Sequence, residues 1–245
     1  MLNLFHRKKE ETKLFYHTDV HCHILQGVDH GSQNIAQSLD MLRAEMSMGI
    51  THVILTSHTT EGTFENTPET LKAAYDLLCQ AVREAGLDIA LDYSSEYRID
   101  DYYMGLYEQG RIVPMPGNYI LLENSFVQEL IGIDELLFDL QCKGYHPILA
   151  HPERYRYYHR RHDRYEQLHS AGVAFQVNIL SLAGYFGAAT REAALWLVNN
   201  NLCDMLGSDM HSMEHARIIK DYLGKKEWRK LAEKLQGRVI NDAVR

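Results

Sequence analysis

The sequence predicts an α/β fold in which about seven parallel strands close into one distorted barrel domain. Short apolar segments typical of strands alternate with amphipathic helical segments, which indicates parallel strands joined by helical crossovers. A potential metal ligand also stands at the end of nearly every predicted strand. An open doubly wound sheet is the competing architecture, but the chain lacks the glycine-rich phosphate loops that usually accompany it.

The predicted strands are apolar runs that lead into histidine, carboxylate or amide side chains. They cover residues 15–20, 52–56, 89–93, 119–122, 147–150, 174–177 and 205–207. The side chains at or beyond their ends are, in order, His21 and His23, His58, Glu96, Glu123, His151, Asn178, and Asp209 with His211. Because such strand ends meet at one rim of a closed parallel barrel, we expect these residues to share one site.

Helical segments are predicted between the strands. Apolar residues at positions 35, 39, 42 and 46 form a stripe on one helix face, and positions 71, 75, 78 and 82 repeat the spacing. Pro68 suits the first turn of this second helix, and Gly144 ends a third helix around residues 136–140. Four further helices are expected over residues 163–171, 190–200, 213–223 and 226–235.

The 245 residues contain no linker rich in proline or glycine, so we predict one domain over residues 15–245 behind a flexible arm, residues 1–14. No apolar run approaches the ~18 residues that a membrane-spanning helix needs, and the first residues do not form a secretory signal. The net charge of −8 argues against nucleic-acid binding, which requires a basic surface.

The four cysteines, at positions 22, 79, 142 and 203, are widely spaced and include no C-x-x-C pair. They are too few for a disulfide framework, which indicates a reducing compartment and hence a cytoplasmic protein. Cys22 lies between His21 and His23 and should point away from any metal, because side chains alternate along a strand.

The His21-x-His23 pair can direct both imidazoles to one side of a strand. Imidazole suits zinc, iron and manganese, and carboxylates suit the harder ions of that range. Glu96 and Glu123 are natural bridges between two cations ~3.5–4 Å apart. Since burying so many such groups without partners would be costly, the pattern favours a metal site over a merely structural cluster.

His151 opens a basic stretch whose arginines would mostly form a solvated helix face. They are Arg154, Arg156, Arg160, Arg161 and Arg164. Arg154 differs because it follows a candidate metal ligand by three positions. Its planar guanidinium matches the oxygens of a phosphate group, so we expect it to bind one.

These motifs resemble the polymerase and histidinol phosphatase (PHP) superfamily and, more narrowly, the bacterial metal-dependent protein-tyrosine phosphatases encoded with capsule and exopolysaccharide synthesis. The resemblance rests on segments 19–25, 27–29, 56–58, 150–155 and 207–211, which occur in the family's order. It implies a distorted seven-stranded β/α barrel, the PHP fold, that holds two to three divalent metals. Manganese is the first expectation, with iron, zinc or cobalt as alternatives.

The resemblance also implies which residues act in the site. The ligands would be His21, His23, His58, Glu96, Glu123, His151, Asp209 and His211, and the phosphate-binding arginine would be Arg154. The family usually has Val-Asp-Asp-Gly in the first loop, with the second Asp as ligand, whereas this chain has Val-Asp29-His30-Gly. Either Asp29 or His30 binds there, or one metal is held weakly; a second family arginine has no aligned counterpart, Arg217 being about one position away.

The predicted reaction is hydrolysis of a phosphotyrosine ester. A metal-bridged hydroxide would attack phosphorus in line while the metals and Arg154 neutralise the charge on the transferred oxygens. A general acid, if one is used, would be His211 or His58, unless both are fully occupied as ligands. A cysteine mechanism is excluded, because none of the four cysteines is followed by arginine at the C-x5-R spacing.

By the same resemblance, the substrate would be the tyrosine-rich tail of a membrane-associated bacterial tyrosine kinase that controls polysaccharide export. The alternative is a small-metabolite phosphatase of the histidinol-phosphatase type, which should have a covered rather than an open site. A non-catalytic partner of the export machinery is the third hypothesis. A homo-oligomer is compatible with the sequence, which does not fix the oligomeric state.

Overall fold

Nine short strands, all paired in parallel, form the centre of the part of the chain that the computed structural model describes, residues 13–245. They are β1 (Thr18–Asp19), β2 (His52–Leu55), β3 (His58–Thr59), β4 (Ala90–Tyr93), β5 (Glu96–Arg98), β6 (Tyr119–Glu123), β7 (His146–Ala150), β8 (Ala174–Asn178) and β9 (Met205–Gly207). The predicted arm lies outside the described residues up to position 12. Leu14 is buried, and its amide donates a hydrogen bond to the Met48 carbonyl.

The strands form two hydrogen-bonded sheets, in the orders β1-β2-β4 and β3-β5-β6-β7-β8-β9. The predicted strands over residues 52–56 and 89–93 correspond to β2 and β4. After two further residues each is followed by a short strand that was not predicted, β3 or β5. His58 and Glu96 follow the ends of β2 and β4, as predicted, and open β3 and β5, where they are paired in register.

The sheets curl until the first and last strands meet. The Asp209 amide donates to the His21 carbonyl at 2.8 Å, and the His23 amide donates to the Met210 carbonyl at 3.0 Å. Cys22 and Met210 form an isolated parallel bridge between the two segments. The predicted α/β domain is thus confirmed, and its parallel sheet is curled. The described residues form nine strands, because β3 and β5 follow two of the seven predicted strands.

Helices connect the strands and cover their outer side. They are α1 (Ile35–Ser47), α2 (Pro68–Glu84), α3 (Asp101–Glu108), α4 (Ile133–Cys142), α5 (His162–Ser170), α6 (Ile179–Ala183), α7 (Ala188–Asn199), α8 (Met213–Leu223) and α9 (Lys226–Leu235). The seven predicted helices are all present. The short helices α3 and α6 were not predicted, because eight and five residues are too few to show a clear apolar period. None of the described helices is long and apolar enough to cross a membrane.

A small apolar cluster fills the space enclosed by the strands. Its buried members are Val20, Ile54, Met115, Leu121, Ile148, Ala150, Met205 and Val244. Leu121 and the predicted ligand Glu123 lie two positions apart on β6 and therefore share a face. The apolar interior thus passes directly into a layer of predicted metal-ligand side chains. The buried Asn241 side chain ties β1 to β9 through hydrogen bonds to Thr18 and Leu206.

Candidate metal centre

The eight ligands implied by the sequence converge at one rim of the curled sheet. Their nitrogen and oxygen atoms form four overlapping groups, in each of which the atoms lie within 4.8 Å of one another. The groups are His23–His58–His211, His21–His23–Glu96, His21–His151–Asp209 and His58–Glu96–Glu123. Six separate chain segments therefore supply one imidazole and carboxylate cluster.

Glu96 lies at the centre of this cluster and is fully buried. Its Oε2 atom is 3.3 Å from the Nε2 atoms of both His21 and His23 and 3.0 Å from His58 Nδ1. Its Oε1 atom is 2.8 Å from His151 Nε2. One carboxylate thus faces four imidazoles, an arrangement suited to bridging cations.

Several buried polar atoms of the cluster have no hydrogen-bond partner among the described residues. They are Glu96 Oε2, His58 Nδ1, His151 Nδ1 and His211 Nε2. In addition, His21 Nε2 and His23 Nε2 are only 3.2 Å apart. Buried polar atoms are rarely left without partners, because each one costs about 1–3 kcal/mol. The donor set therefore fits divalent metal ions, which would satisfy these atoms.

Backbone geometry at two of the strand ends is unusual and directs the side chains. His151, after β7, has φ of 33°, and Asp209, after β9, has φ of 47°, so both are in the left-handed region that non-glycine residues rarely adopt. Such conformations cost of order 1–3 kcal/mol and persist where the surrounding structure enforces them. Their occurrence after two strands of the same sheet is typical of a functional site.

The charges within the cluster shift the ionisation of its members. Burial lowers the pKa of His21, but Glu96 and Asp209 outweigh it and raise that pKa to about 9. Burial likewise opposes ionisation of Glu96, yet His21 and His58 hold its pKa well below the usual range. Glu96 therefore stays ionised, and a metal that binds His21 at neutral pH must displace a proton.

Asp29 supports the cluster from behind. Its Oδ2 atom is 2.8 Å from His23 Nδ1 and accepts the His58 amide at 2.9 Å, while its Oδ1 accepts the Gly31 amide at 2.8 Å. Both oxygens are therefore used to orient His23 and the neighbouring loop. This is the usual role of a carboxylate behind a metal-binding histidine.

The neighbouring His30 points towards the cluster from its open side. Its ring centroid lies 4.5 Å from that of His211 and 5.0 Å from that of His58. The residue is exposed and lines the cavity above the cluster. Of the two first-loop candidates, His30 thus has a ring free to bind, whereas the carboxylate of Asp29 is engaged.

Strand β8 contributes two supporting residues. Gln176 Oε1 lies 2.6 Å from His21 Nδ1, and Asn178 Nδ2 donates to Asp209 Oδ2 at 2.6 Å. Asn178 is at a strand end, as predicted, but it contacts a candidate ligand rather than joining the four groups. Gln176 escaped the sequence analysis, although it lies two positions before Asn178 on the same strand face.

A cavity of about 490 Å³ opens above the cluster and is walled by aromatic rings and two arginines. The Arg154 guanidinium lies 4.9 Å from the Phe126 ring centroid and 4.3 Å from that of Phe186, and its Nη1 atom is 3.1 Å from Asp209 Oδ2. Arg98 donates to Glu123 at 2.8 Å, and its guanidinium lies 5.4 Å from the Phe126 ring centroid. Arg98 was not predicted, although it follows Glu96 by two positions on β5.

The remaining arginines of interest lie elsewhere. Arg164 is buried and pairs with Glu129 and Asp134, so it is structural and does not belong to a solvated face as predicted. Arg217, the nearest residue to the second family arginine, is exposed and pairs with Asp221 on α8. It does not line the cavity. Among the described arginines, Arg98 and Arg154 line the cavity above the cluster.

Comparison with known proteins identifies close relatives. The profile of the family described as "Capsular polysaccharide synthesis, CpsB/CapC" matches residues 17–236. The chain is 33% identical over 197 residues to the tyrosine-protein phosphatase YwqE of Bacillus subtilis, covering 80% of this chain and 78% of the relative. It is 28% identical over 231 residues to the tyrosine-protein phosphatase CpsB of Streptococcus pneumoniae, covering 89% of this chain and 93% of that protein.

Solved structures with similar folds include a member of the same group of relatives. A structure from work on YwqE and CpsB, described as unique metal-dependent tyrosine phosphatases, superposes with a TM-score of 0.75 at 30% identity and covers 91% of this chain and 94% of the other. The phosphotriesterase homology protein from Escherichia coli superposes with a TM-score of 0.53 at 15% identity, covering 96% of this chain and 95% of its own. The latter likeness concerns the fold alone.

Proposed function

Because the chain belongs to the CpsB/CapC family of capsular polysaccharide synthesis, we propose that it is a metal-dependent tyrosine-protein phosphatase. The observation that carries the proposal is the position of Glu96, which faces four imidazoles beneath a cavity walled by Arg154 and aromatic rings. This arrangement joins a metal-ligand cluster to a group suited to phosphate and to surfaces suited to a phenyl ring.

The reaction does not use a cysteine nucleophile. Burial raises the pKa of both Cys22 and Cys203, which keeps these thiols protonated and unreactive. The Cys22 thiol lies 3.7 Å from the Ile54 carbonyl, on the side away from the cluster, as its position between the two histidines predicted. None of the four cysteines lines the cavity above Glu96.

The cluster would hold two to three divalent cations, with manganese as the first candidate and iron, zinc or cobalt as alternatives. His21, His23, His58, Glu96, Glu123, His151, Asp209 and His211 would bind them. Such ions lower the pKa of a bound water and offset the charge of a phosphoryl group. Asp29 and Gln176 keep the His23 and His21 rings turned towards the cluster.

Arg154 would neutralise charge on the oxygens of the transferred phosphoryl group. Its planar guanidinium offers paired donors, and packing against Phe126 and Phe186 holds it in place before the substrate binds. The same rings form walls against which the phenyl ring of phosphotyrosine can pack. Arg98, fixed by its hydrogen bond to Glu123, also lines the cavity.

We assign His211 a role as ligand rather than as general acid. Burial and the nearby His23 lower the pKa of His211 to about 3, so its ring is neutral at physiological pH and has no proton to spare as an acid. A tyrosine phenolate is a fair leaving group, since the pKa of phenol is about 10. The demand for an acid is therefore modest, and His58, the other candidate, also belongs to the ligand groups.

His30 would complete a metal position made of imidazoles, together with His58 and His211. Imidazole-rich positions prefer softer ions than carboxylate-rich ones. The His30→Asp variant should therefore retain more manganese relative to zinc when both are offered in equal amounts, as measured by elemental analysis. The exposed His146 provides a control, and His146→Asp should leave the metal ratio unchanged. An unchanged ratio in His30→Asp, or an equal change in both variants, would contradict the assignment.

The family relationship also supports the finer expectations. The two sheets would correspond to one distorted seven-stranded barrel of the PHP type. In that barrel β2 and β3 together would occupy one strand position, and β4 and β5 together another. The substrate would be the phosphotyrosyl tail of a membrane-associated bacterial tyrosine kinase in capsule synthesis. The protein would bind this tail in the cytoplasm. The cavity mouth suits a protein substrate, since Phe126 and Tyr185 on its rim are 37% and 44% exposed.

Phosphate release from a panel of substrates tests the proposal. With manganese added, the protein should hydrolyse a phosphotyrosyl peptide in strong preference to histidinol phosphate and to a phosphoseryl peptide. Preference for histidinol phosphate would replace the proposed substrate with a small metabolite, although the metal cluster would keep its role. Absence of turnover on every substrate would instead favour a non-catalytic partner.

A further inference from the structure

The basic stretch after His151 divides into groups with different surroundings. Arg154 faces the metal cavity, and Arg164 is buried between Glu129 and Asp134. Arg161 lies 4.0 Å from Glu129. Arg156 and Arg160 are exposed and form no ion pair with another described residue. These two cations are therefore available to a ligand.

Arg156 and Arg160 line a second cavity, of about 680 Å³, which we call the basic groove. Its other walls are Tyr157, His159, His162, Ala189, Glu192, Ala193 and Trp196. The Trp196 ring is half-buried and stacks on His162 with centroids 3.9 Å apart. Glu192 is the single carboxylate among these lining residues. The groove thus combines two unpaired guanidinium groups with fixed aromatic surfaces.

The basic groove and the metal cavity are lined by neighbouring positions on two chain segments. Arg154 lines the metal cavity and Arg156 the groove, while Phe186 lines the metal cavity and Ala189 the groove. Residues two positions apart have Cα atoms at most ~7 Å apart, and an extended peptide advances ~3.3–3.6 Å per residue. A substrate residue a few positions from the hydrolysed tyrosine could therefore reach the groove.

We propose that the basic groove binds a second phosphotyrosyl side chain of the same substrate chain while the first lies over the metal cluster. Arginine pairs with a phosphate dianion, and the rings of Tyr157 and Trp196 suit a phenyl group. The chain carries a net charge of −8, so local positive charge is needed to retain a multiply phosphorylated segment. This inference rests on the proposed phosphatase activity and adds a preference for neighbouring phosphotyrosines.

The test compares three peptides that share one phosphotyrosine. The first has no other anionic residue, the second carries another phosphotyrosine three positions away, and the third carries glutamate there. The metal-loaded wild-type protein should show a KM about tenfold lower for the second peptide than for the first. In the Arg156→Gln/Arg160→Gln variant this advantage should vanish, while kcat and KM for the first peptide stay unchanged.

The matched control is Arg43→Gln/Arg217→Gln, which removes two exposed arginines that pair within their own helices. It should keep the tenfold advantage. The inference is overturned if the Arg156→Gln/Arg160→Gln variant also keeps the tenfold KM advantage, or if this variant raises KM equally for all three peptides. An equal advantage for the glutamate peptide would overturn the assignment to phosphotyrosine. Failure of the wild-type protein to hydrolyse the first peptide would instead refute the proposed function itself.

Discussion

Glu96→Gln is expected to lower kcat for a phosphotyrosyl peptide by roughly 10²–10³-fold and to reduce the metal content of the purified protein. The side chain is fully buried and its two oxygens approach His21, His23, His58 and His151. An amide of nearly the same shape removes the negative charge that lets this residue bridge cations. Steady-state kinetics combined with elemental analysis measure both effects.

A matched control for this variant is Glu108→Gln, at the exposed end of α3, which should leave kcat and metal content unchanged. His151→Ala should resemble Glu96→Gln, because it removes the imidazole 2.8 Å from the same carboxylate. Thermal unfolding of each variant distinguishes a folding defect from a loss of metal. Full activity of Glu96→Gln and His151→Ala in metal-replete protein would show that the cluster is not the reaction centre.

Arg154→Lys should lower kcat/KM for a phosphotyrosyl peptide by about 10²-fold, and Arg154→Ala by somewhat more. Lysine keeps the positive charge but loses the planar pair of donors and the stacking against Phe126 and Phe186. Metal content should remain close to that of the wild type, because Arg154 contacts Asp209 from the cavity side and supplies no metal ligand. Kinetics and elemental analysis on the same sample separate the two properties.

Arg217→Lys is the appropriate control for Arg154, since Arg217 is close in sequence to the Asp209–His211 segment yet lies exposed on α8. It should leave kcat/KM unchanged. If Arg154→Lys and Arg217→Lys had equally small effects, phosphate binding could not be assigned to Arg154. A large effect of Arg217→Lys alone would place the second family arginine at that position after all.

Much of the site could be predicted from the sequence because strand ends in a parallel sheet converge. Glu123 ends its strand, and His151 and Asp209 follow theirs by one and two positions, so the parallel arrangement of the strands brings the three together. The helices with clear apolar periods could also be predicted from the sequence. A regular apolar period shows which helix face is buried without any knowledge of tertiary contacts.

Some features of the fold and the site were not predicted, either because they are very short or because they depend on tertiary contacts. Strands β3 and β5, which begin after two-residue breaks at positions 56–57 and 94–95, were not predicted, because two and three residues are too few to show a clear alternation. Arg98 and Gln176 each sit two positions from a recognised residue, so alternation along a strand could have suggested both. The proposal of His30 rather than Asp29 as the first-loop ligand rests on the hydrogen bonds of Asp29 to His23 and to the His58 amide, which are tertiary contacts.

The central claim is that the imidazole and carboxylate cluster around Glu96 holds the metals on which phosphotyrosine hydrolysis depends. The most direct measurement is phosphate release from a phosphotyrosyl peptide by protein stripped of metal with a chelator and then titrated with manganese. We predict that activity is lost on stripping and returns in proportion to bound manganese in the wild type, but not in Glu96→Gln. Undiminished hydrolysis by the stripped wild-type protein would contradict the claim.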